Sequence, residues 1–153
     1  MLKWLKIFVV LLALAPFSIN GADKETPLSL PGVNVVDTDT VKKWMDNGDS
    51  FFLLDARKPE DFQESRIPGA THCTVNIERT LEEAIIKDAV KWLEKCQPLK
   101  GMKKDHKIVT YCNGVACFQS PKASLALSKM GFTNIHWMRE GMNVWKTKGY
   151  PIQ

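Results

Sequence analysis

SFFLLDAR, from Ser50 to Arg57, is an unbroken apolar run closed by charges. A strand with one wet face alternates apolar and polar residues. A run without alternation fits a strand covered on both faces, as in a parallel sheet. HKIVTYC, ending at Cys112, is a second strand, a β-branched run that ends in a cysteine. The stretches between such runs have helical spacing. TVKKWMDNG puts Val41, Trp44 and Met45 on one face, with Asp37 or Asp39 as cap and Asn47-Gly48 as terminator. KPEDFQES is a short helix with Pro59 at an early position. ERTLEEAIIKDAVKWLEKC repeats Leu81, Ile85, Ala89 and Trp92 at spacings of three and four. SPKASLALSKMGF opens with Ser120 as N-cap and Pro121 at the first helical position, and Gly131 closes it. NVV at 34–36, a strand from His72 to Val75 and NIHWM add further strands, and MNVWKTKGYP a last short helix. Strands alternating with helices predict an α/β fold, a mainly parallel central sheet flanked by helices. The tryptophans at 44, 92, 137 and 145 fall on apolar faces and are expected in the core.

The N-terminus reads differently. Lys3 and Lys6 flank Trp4, then IFVVLLALAPF is followed by the small-residue stretch SINGA. A basic start, a short apolar run and small residues make a signal peptide over 1–22. The run falls short of the roughly 20 residues that span a bilayer, although an uncleaved anchor is the alternative. The expectation is an exported, periplasmic protein with no stable membrane span after cleavage. Residues 23–34 then form a polar N-terminal tail and 35–152 one domain. The chain carries 21 basic against 17 acidic residues, a net +4. Without Lys3 and Lys6 the balance is 19 against 17, too weak a bias for nucleic acid. The Lys-rich LKGMKKDHK is a solvated turn.

The four cysteines are Cys73, Cys96, Cys112 and Cys117. An even count permits disulfides in an oxidising compartment. With 44% hydrophobic residues the core does not depend on them. Cys112 ends a strand of an α/β sheet, the position beyond which ligands bind. The loop after it runs into a helix N-terminus, whose free N–H groups and dipole favour a thiolate. That makes Cys112 a candidate nucleophile, against the alternative of an inert strand-end cysteine. Cys117 is either a resolving thiol for Cys112 or a packing residue that pins the loop. Metal ligation by His72, Cys73, Cys112 and Cys117 lacks the paired spacing such sites use, so no metal is expected. Cys73 reads as core, and Cys96 as free or paired. His106 and His136 have no readable partner.

Three separated segments together resemble the rhodanese-like sulfurtransferase superfamily. LLDARKPEDFQESRIPGATH carries Asp55, Arg57, Glu60, Phe62, Ile67, Pro68, Gly69 and Ala70 of its signature before the active site. IVTYC matches the strand with the catalytic cysteine. The closing segment keeps Gly141, Trp145, Gly149 and Pro151. The resemblance implies that Cys112 takes a sulfane sulfur from a small donor, holds it as a persulfide and passes it to a thiol or cyanide-like acceptor. A periplasmic protein could be that acceptor. Loop amides from Asn113, Gly114, Val115, Ala116, Cys117, Phe118, Gln119 and Ser120 would cradle the persulfide. Asp55 and Arg57 would brace the region, and no cofactor would be needed. The loop is longer than in common single-domain members and holds no Arg or Lys. The nearest cation is Lys122, which counts against thiosulfate as the physiological donor. A related phosphatase branch needs Cys-x5-Arg, and Phe118 stands at that position. Two other functions fit the same residues: a thiol–disulfide redox protein using Cys112 and Cys117, and a noncatalytic sulfur carrier or binding module.

Overall fold

The computed structural model describes residues 24–153, so the signal segment read over 1–22 lies outside the described residues. The elements are β1 (Asn34–Val36), α1 (Thr38–Asp46), β2 (Phe52–Asp55), α2 (Pro59–Glu64), β3 (Thr71–His72), α3 (Glu83–Leu93), β4 (Ile108–Tyr111), α4 (Gln119–Lys129), β5 (Ile135–Met138) and α5 (Gly141–Thr147). The five strands form one sheet in the order β1-β5-β4-β2-β3, and every pair is parallel. β4 and β2 are central, which explains their unbroken apolar runs: both faces are covered. On one face Leu54 and Ile108 of the sheet form a core with Ala89 and Leu93 of α3 and Ala123 and Leu127 of α4. On the other Leu53, Val109 and Met138 of the sheet form a core with Val41 of α1 and Trp145 of α5.

Local signals set several boundaries as expected. Asp37 caps α1 by accepting from Thr40 N at 2.7 Å, which holds its carboxyl below the usual aspartate range. Gly48, past the end of α1, and Gly131, past the end of α4, both take positive φ, at 74° and 89°.

Other boundaries move for tertiary reasons. The third strand is only Thr71–His72, with Cys73 N still bonded to Asp55 O at 3.0 Å. The helix expected from Glu78 starts at Glu83. The Glu78 carbonyl accepts from Lys122 Nζ at 2.6 Å, and Glu82 N donates to Thr80 Oγ1, so no helical turn closes there. The buried stripe of α3 is Ile86, Ala89 and Leu93 rather than Ile85, Ala89 and Trp92. Trp92 is therefore not core but 45% exposed. α4 begins at Gln119 with Phe118 at the cap position, so Ser120 is not the N-cap. The polar segment before β1 is no free tail: Thr26 and Leu30 are buried, and Thr26 is bonded to Val115. Cys73 is buried and disulfide-bonded to Cys96, tying the end of β3 to the turn after α3. No helix among the described residues is long and apolar enough to cross a membrane.

Candidate functional site

Cys112 follows the last residue of central β4 and is 1% exposed. Its carbonyl accepts from Met142 N at 2.8 Å, and the carbonyl of Asn113 accepts from Asn143 N at 2.9 Å. The start of α5 thus grips the strand end. Gly141 makes this approach possible. It has φ +62°, and a Cβ there would collide with the Cys112 carbonyl oxygen and lie 2.8 Å from Gly114 N. The glycine of the closing segment therefore belongs to the site. Gly114 is similarly confined, by Asn143 Nδ2 and the Glu140 carbonyl.

The loop from Asn113 to Phe118 is anchored on several sides. Asn113 Nδ2 donates to Asp61 Oδ2 at 3.1 Å. Cys117 N closes a turn on Gly114 O at 2.9 Å. The Val115 carbonyl accepts from both Thr26 N at 2.8 Å and Thr26 Oγ1 at 2.7 Å. An open cleft of about 320 Å³ is lined by Asn113, Gly114, Val115, Ala116, Cys117 and Asn143. Cys117 faces this cleft, whereas Cys112 lies beneath the loop. The two are joined as a disulfide, with Cα atoms 6.3 Å apart.

Ser120 lies in the first turn of α4. Its Oγ is 2.9 Å from Cys112 Sγ and 2.9 Å from Trp137 Nε1. An indole N–H only donates, so Ser120 Oγ accepts from it and its own proton is left for Cys112. The same turn brings the N-terminal end of an 11-residue helix beside the sulfur. The Cys117 sulfur has the Gln119 side-chain amide at 3.8 Å, and the Cys117 carbonyl lies 3.3 Å from Cys112 Sγ. Cys112, Cys117 and Ser120 are thus brought together.

Asp55 and Arg57 stand apart from the sulfurs. Both are buried; Arg57 Nη2 donates to Asp55 Oδ2 at 2.6 Å and to Ser65 O at 2.6 Å. Burial works against the guanidinium charge, but the Asp55 hydrogen bond and charge outweigh it and raise the Arg57 pKa. Tyr111 lies beside this pair and accepts from Ile67 N at 3.3 Å; burial and the Asp55 charge push its pKa well up. His72 Nε2 lies 2.9 Å from Arg57 O, with its ring stacked on Phe62. This network fixes the chain between β2 and β3, next to β4.

Lys122 is fully buried, its Nζ donating to Asn76 O at 2.7 Å and Glu78 O at 2.6 Å. Burial pulls its pKa down to about 8, against the charge of Glu78. It ties down the 76–78 segment and is not placed to hold an anionic donor over the loop. His136 is half-buried beside Trp44, its pKa lowered by burial. Among the described residues no His, Cys, Asp and Glu group suits a metal ion. Trp137 and Thr26 were missed as site residues from sequence. Trp137 looked like core and is core, with only its N–H turned to the site. Thr26 carries no local signal at all.

The model of the rhodanese-like domain matches residues 37–148. No curated protein matches the sequence. Among solved structures, the Alr3790 protein from Anabaena sp. is 23% identical with a TM-score of 0.59, over 77% of this chain and 90% of that one. The polysulfide-sulfur transferase homodimer from Wolinella succinogenes is 17% identical with a TM-score of 0.55, over 80% of this chain and 79% of that one. Thiosulfate sulfurtransferase from Pseudomonas aeruginosa is 18% identical with a TM-score of 0.52, over 79% of this chain but 20% of that one. At these identities the likeness is one of fold. With the family model spanning β-strand, loop and closing segment alike, the chain belongs to the rhodanese-like domain family.

Proposed function

We propose that the reduced protein is a sulfurtransferase that carries sulfane sulfur on Cys112. The observation that carries this reading is the environment of that one sulfur. Ser120 Oγ is 2.9 Å away with its proton free to donate, and the N-terminal end of α4 lies beside it. The Cys112 thiolate attacks the sulfane sulfur of the donor. The donor's S–S bond breaks, and the rest of the donor leaves with the electron pair. Cys112 is left as a persulfide. A thiolate or cyanide then attacks the outer sulfur, and Cys112 leaves as thiolate. No residue of the loop is cationic, so an uncharged or singly charged donor such as an alkyl persulfide or an organic polysulfide fits better than a dianion. The basic, apolar and small-residue start of the chain supports export to the periplasm.

Intact mass tests the reading. The reduced protein is exposed to polysulfide or thiosulfate, with Cys112→Ser alongside. Gain of one sulfur on Cys112, removed by cyanide or a thiol, is the expected result. No gain on Cys112 with either donor overturns it.

The bonded Cys112–Cys117 pair favours a second reading, thiol–disulfide exchange. There Cys117 thiolate would attack Cys112 Sγ of the persulfide, releasing hydrosulfide and leaving the disulfide. Loss of two hydrogens that needs both cysteines, with no sulfur retained, is its signature.

A further inference from the structure

The two sulfurs of the pair are unequal. Cys112 is 1% exposed and covered by the loop, while Cys117 is half-buried and lines the open cleft. A nucleophile from solvent meets Cys117 first. The leaving groups are unequal as well. A thiolate on Cys112 is met by the Ser120 hydroxyl at 2.9 Å, which Trp137 holds by donating to the same oxygen; the Cys117 carbonyl, an acceptor, lies farther off at 3.3 Å. It also lies by the first turn of an 11-residue helix. The Cys117 sulfur has the Gln119 side-chain amide beside it at 3.8 Å, against 2.9 Å from Cys112 to the Ser120 hydroxyl. Exchange is fastest when the reachable sulfur is attacked and the better-stabilised thiolate leaves. Access and leaving-group stability point the same way.

We propose that the oxidised pair is itself a sulfur-loading centre, in which hydrosulfide attacks Cys117 and Cys112 leaves as the thiolate. The hydrosulfide electron pair forms a new S–S bond to Cys117 Sγ. The Cys112–Cys117 bond breaks, and its electron pair departs on Cys112. The disulfide is the two-electron oxidant: the incoming sulfur rises from the sulfide to the sulfane level, and the pair is reduced. The product is a persulfide on Cys117 beside a free Cys112 thiolate. That thiolate then attacks the outer sulfur, Cys117 leaves, and the sulfur arrives on Cys112. One sulfur is loaded per oxidised pair. Only this last transfer rests on the reading of Cys112 as sulfur carrier; the opening step stands without it. The substrate class is hydrosulfide, rather than a compound that already holds sulfane sulfur.

The test uses the oxidised chain without reductant or oxygen, mixed with isotope-labelled sodium hydrosulfide. Samples are alkylated at successive times, and the label is located by peptide fragmentation. The expected result is label first on Cys117, with Cys112 alkylated as a plain thiol, followed by migration to Cys112. In oxidised Ser120→Ala, opening slows by about three-fold or more, since the leaving thiolate loses its donor. Label first on Cys112, an equal opening rate in Ser120→Ala, or inertness of the oxidised protein each overturns the proposal. Loading of the reduced protein from polysulfide is followed in parallel. Success there with an inert oxidised form defeats this inference alone, and the reverse outcome defeats the sulfurtransferase reading alone.

Discussion

Thr26 donates twice to one carbonyl: its backbone N and its Oγ1 both reach Val115 O, at 2.8 and 2.7 Å. The donor lies before the first strand and the acceptor in the middle of the cysteine loop. Arg139 holds the same stretch from the other side, donating to Thr26 O at 2.8 Å and Pro27 O at 3.0 Å. Thr26 is 3% exposed, so this contact is shielded from water. Thr26→Val keeps the shape and the N–H but removes the hydroxyl. A stability loss of about 1 kcal/mol is expected. Amide exchange should quicken in 113–118 and stay unchanged in α1. Thr26→Ser should restore protection. Uniform quickening throughout the chain would show that the strap does not act on the loop.

Ser120 and Trp137 make a separable prediction. Ser120→Ala removes the donor to Cys112 outright. Trp137→Phe leaves the hydroxyl but frees it to turn. In the reduced protein, the pH profile of Cys112 alkylation should move to higher pH in both variants. The move is larger in Ser120→Ala, on the order of tenfold in rate near neutrality. Equal profiles in wild type and Ser120→Ala would remove Ser120 from the site.

Much of this was legible locally. The runs of β2 and β4 betray strands with two covered faces, and Cys112 at a strand end marks the candidate site. Asp37, Gly48 and Gly131 act within a few residues of themselves. What could not be read joins distant residues: Trp137 to Ser120 across 17 positions, and Thr26 to Val115 across 89. No local period encodes such pairs. The α3 stripe shows a subtler limit. Ile85 and Ile86 are adjacent, and both stripes keep helical spacing. Only packing against α4 selects Ile86 and leaves Trp92 in solvent.

The Cys73–Cys96 bond closes a loop with a sequence separation of 23 and ties α3 to the sheet edge. Cross-linking such a loop lowers the entropy of the unfolded chain, by about 3 kcal/mol in the chain-entropy view. Cys96→Ser should lower stability by roughly that amount in oxidising buffer. In excess reductant, which opens the Cys112–Cys117 bond as well, wild type and Cys96→Ser should be equally stable. Alkylation of Cys112 in reduced protein should be little altered, because reduced wild type lacks the bond as well. A variant as stable as oxidised wild type would show that the bond contributes nothing.

Lys122 gives a stability signature in pH. Its pKa is lowered to about 8 by burial, from 10.5 in an exposed lysine. Between those values the unfolded chain binds more protons than the folded one, so this group makes stability rise with pH there. Below about pH 8 it is charged in both states and contributes no slope. Lys122→Met removes the group, so wild-type stability minus that of the variant should climb between about pH 8 and 10. The slope approaches 1.4 kcal/mol per pH unit at most, roughly. Urea unfolding of both proteins, disulfides intact, at about pH 7, 8.5 and 9.5 measures it. A difference that stays flat would mean that Lys122 keeps the ordinary lysine pKa. A difference that falls would mean that the carbonyls of Asn76 and Glu78 hold the charged form more strongly than burial opposes it.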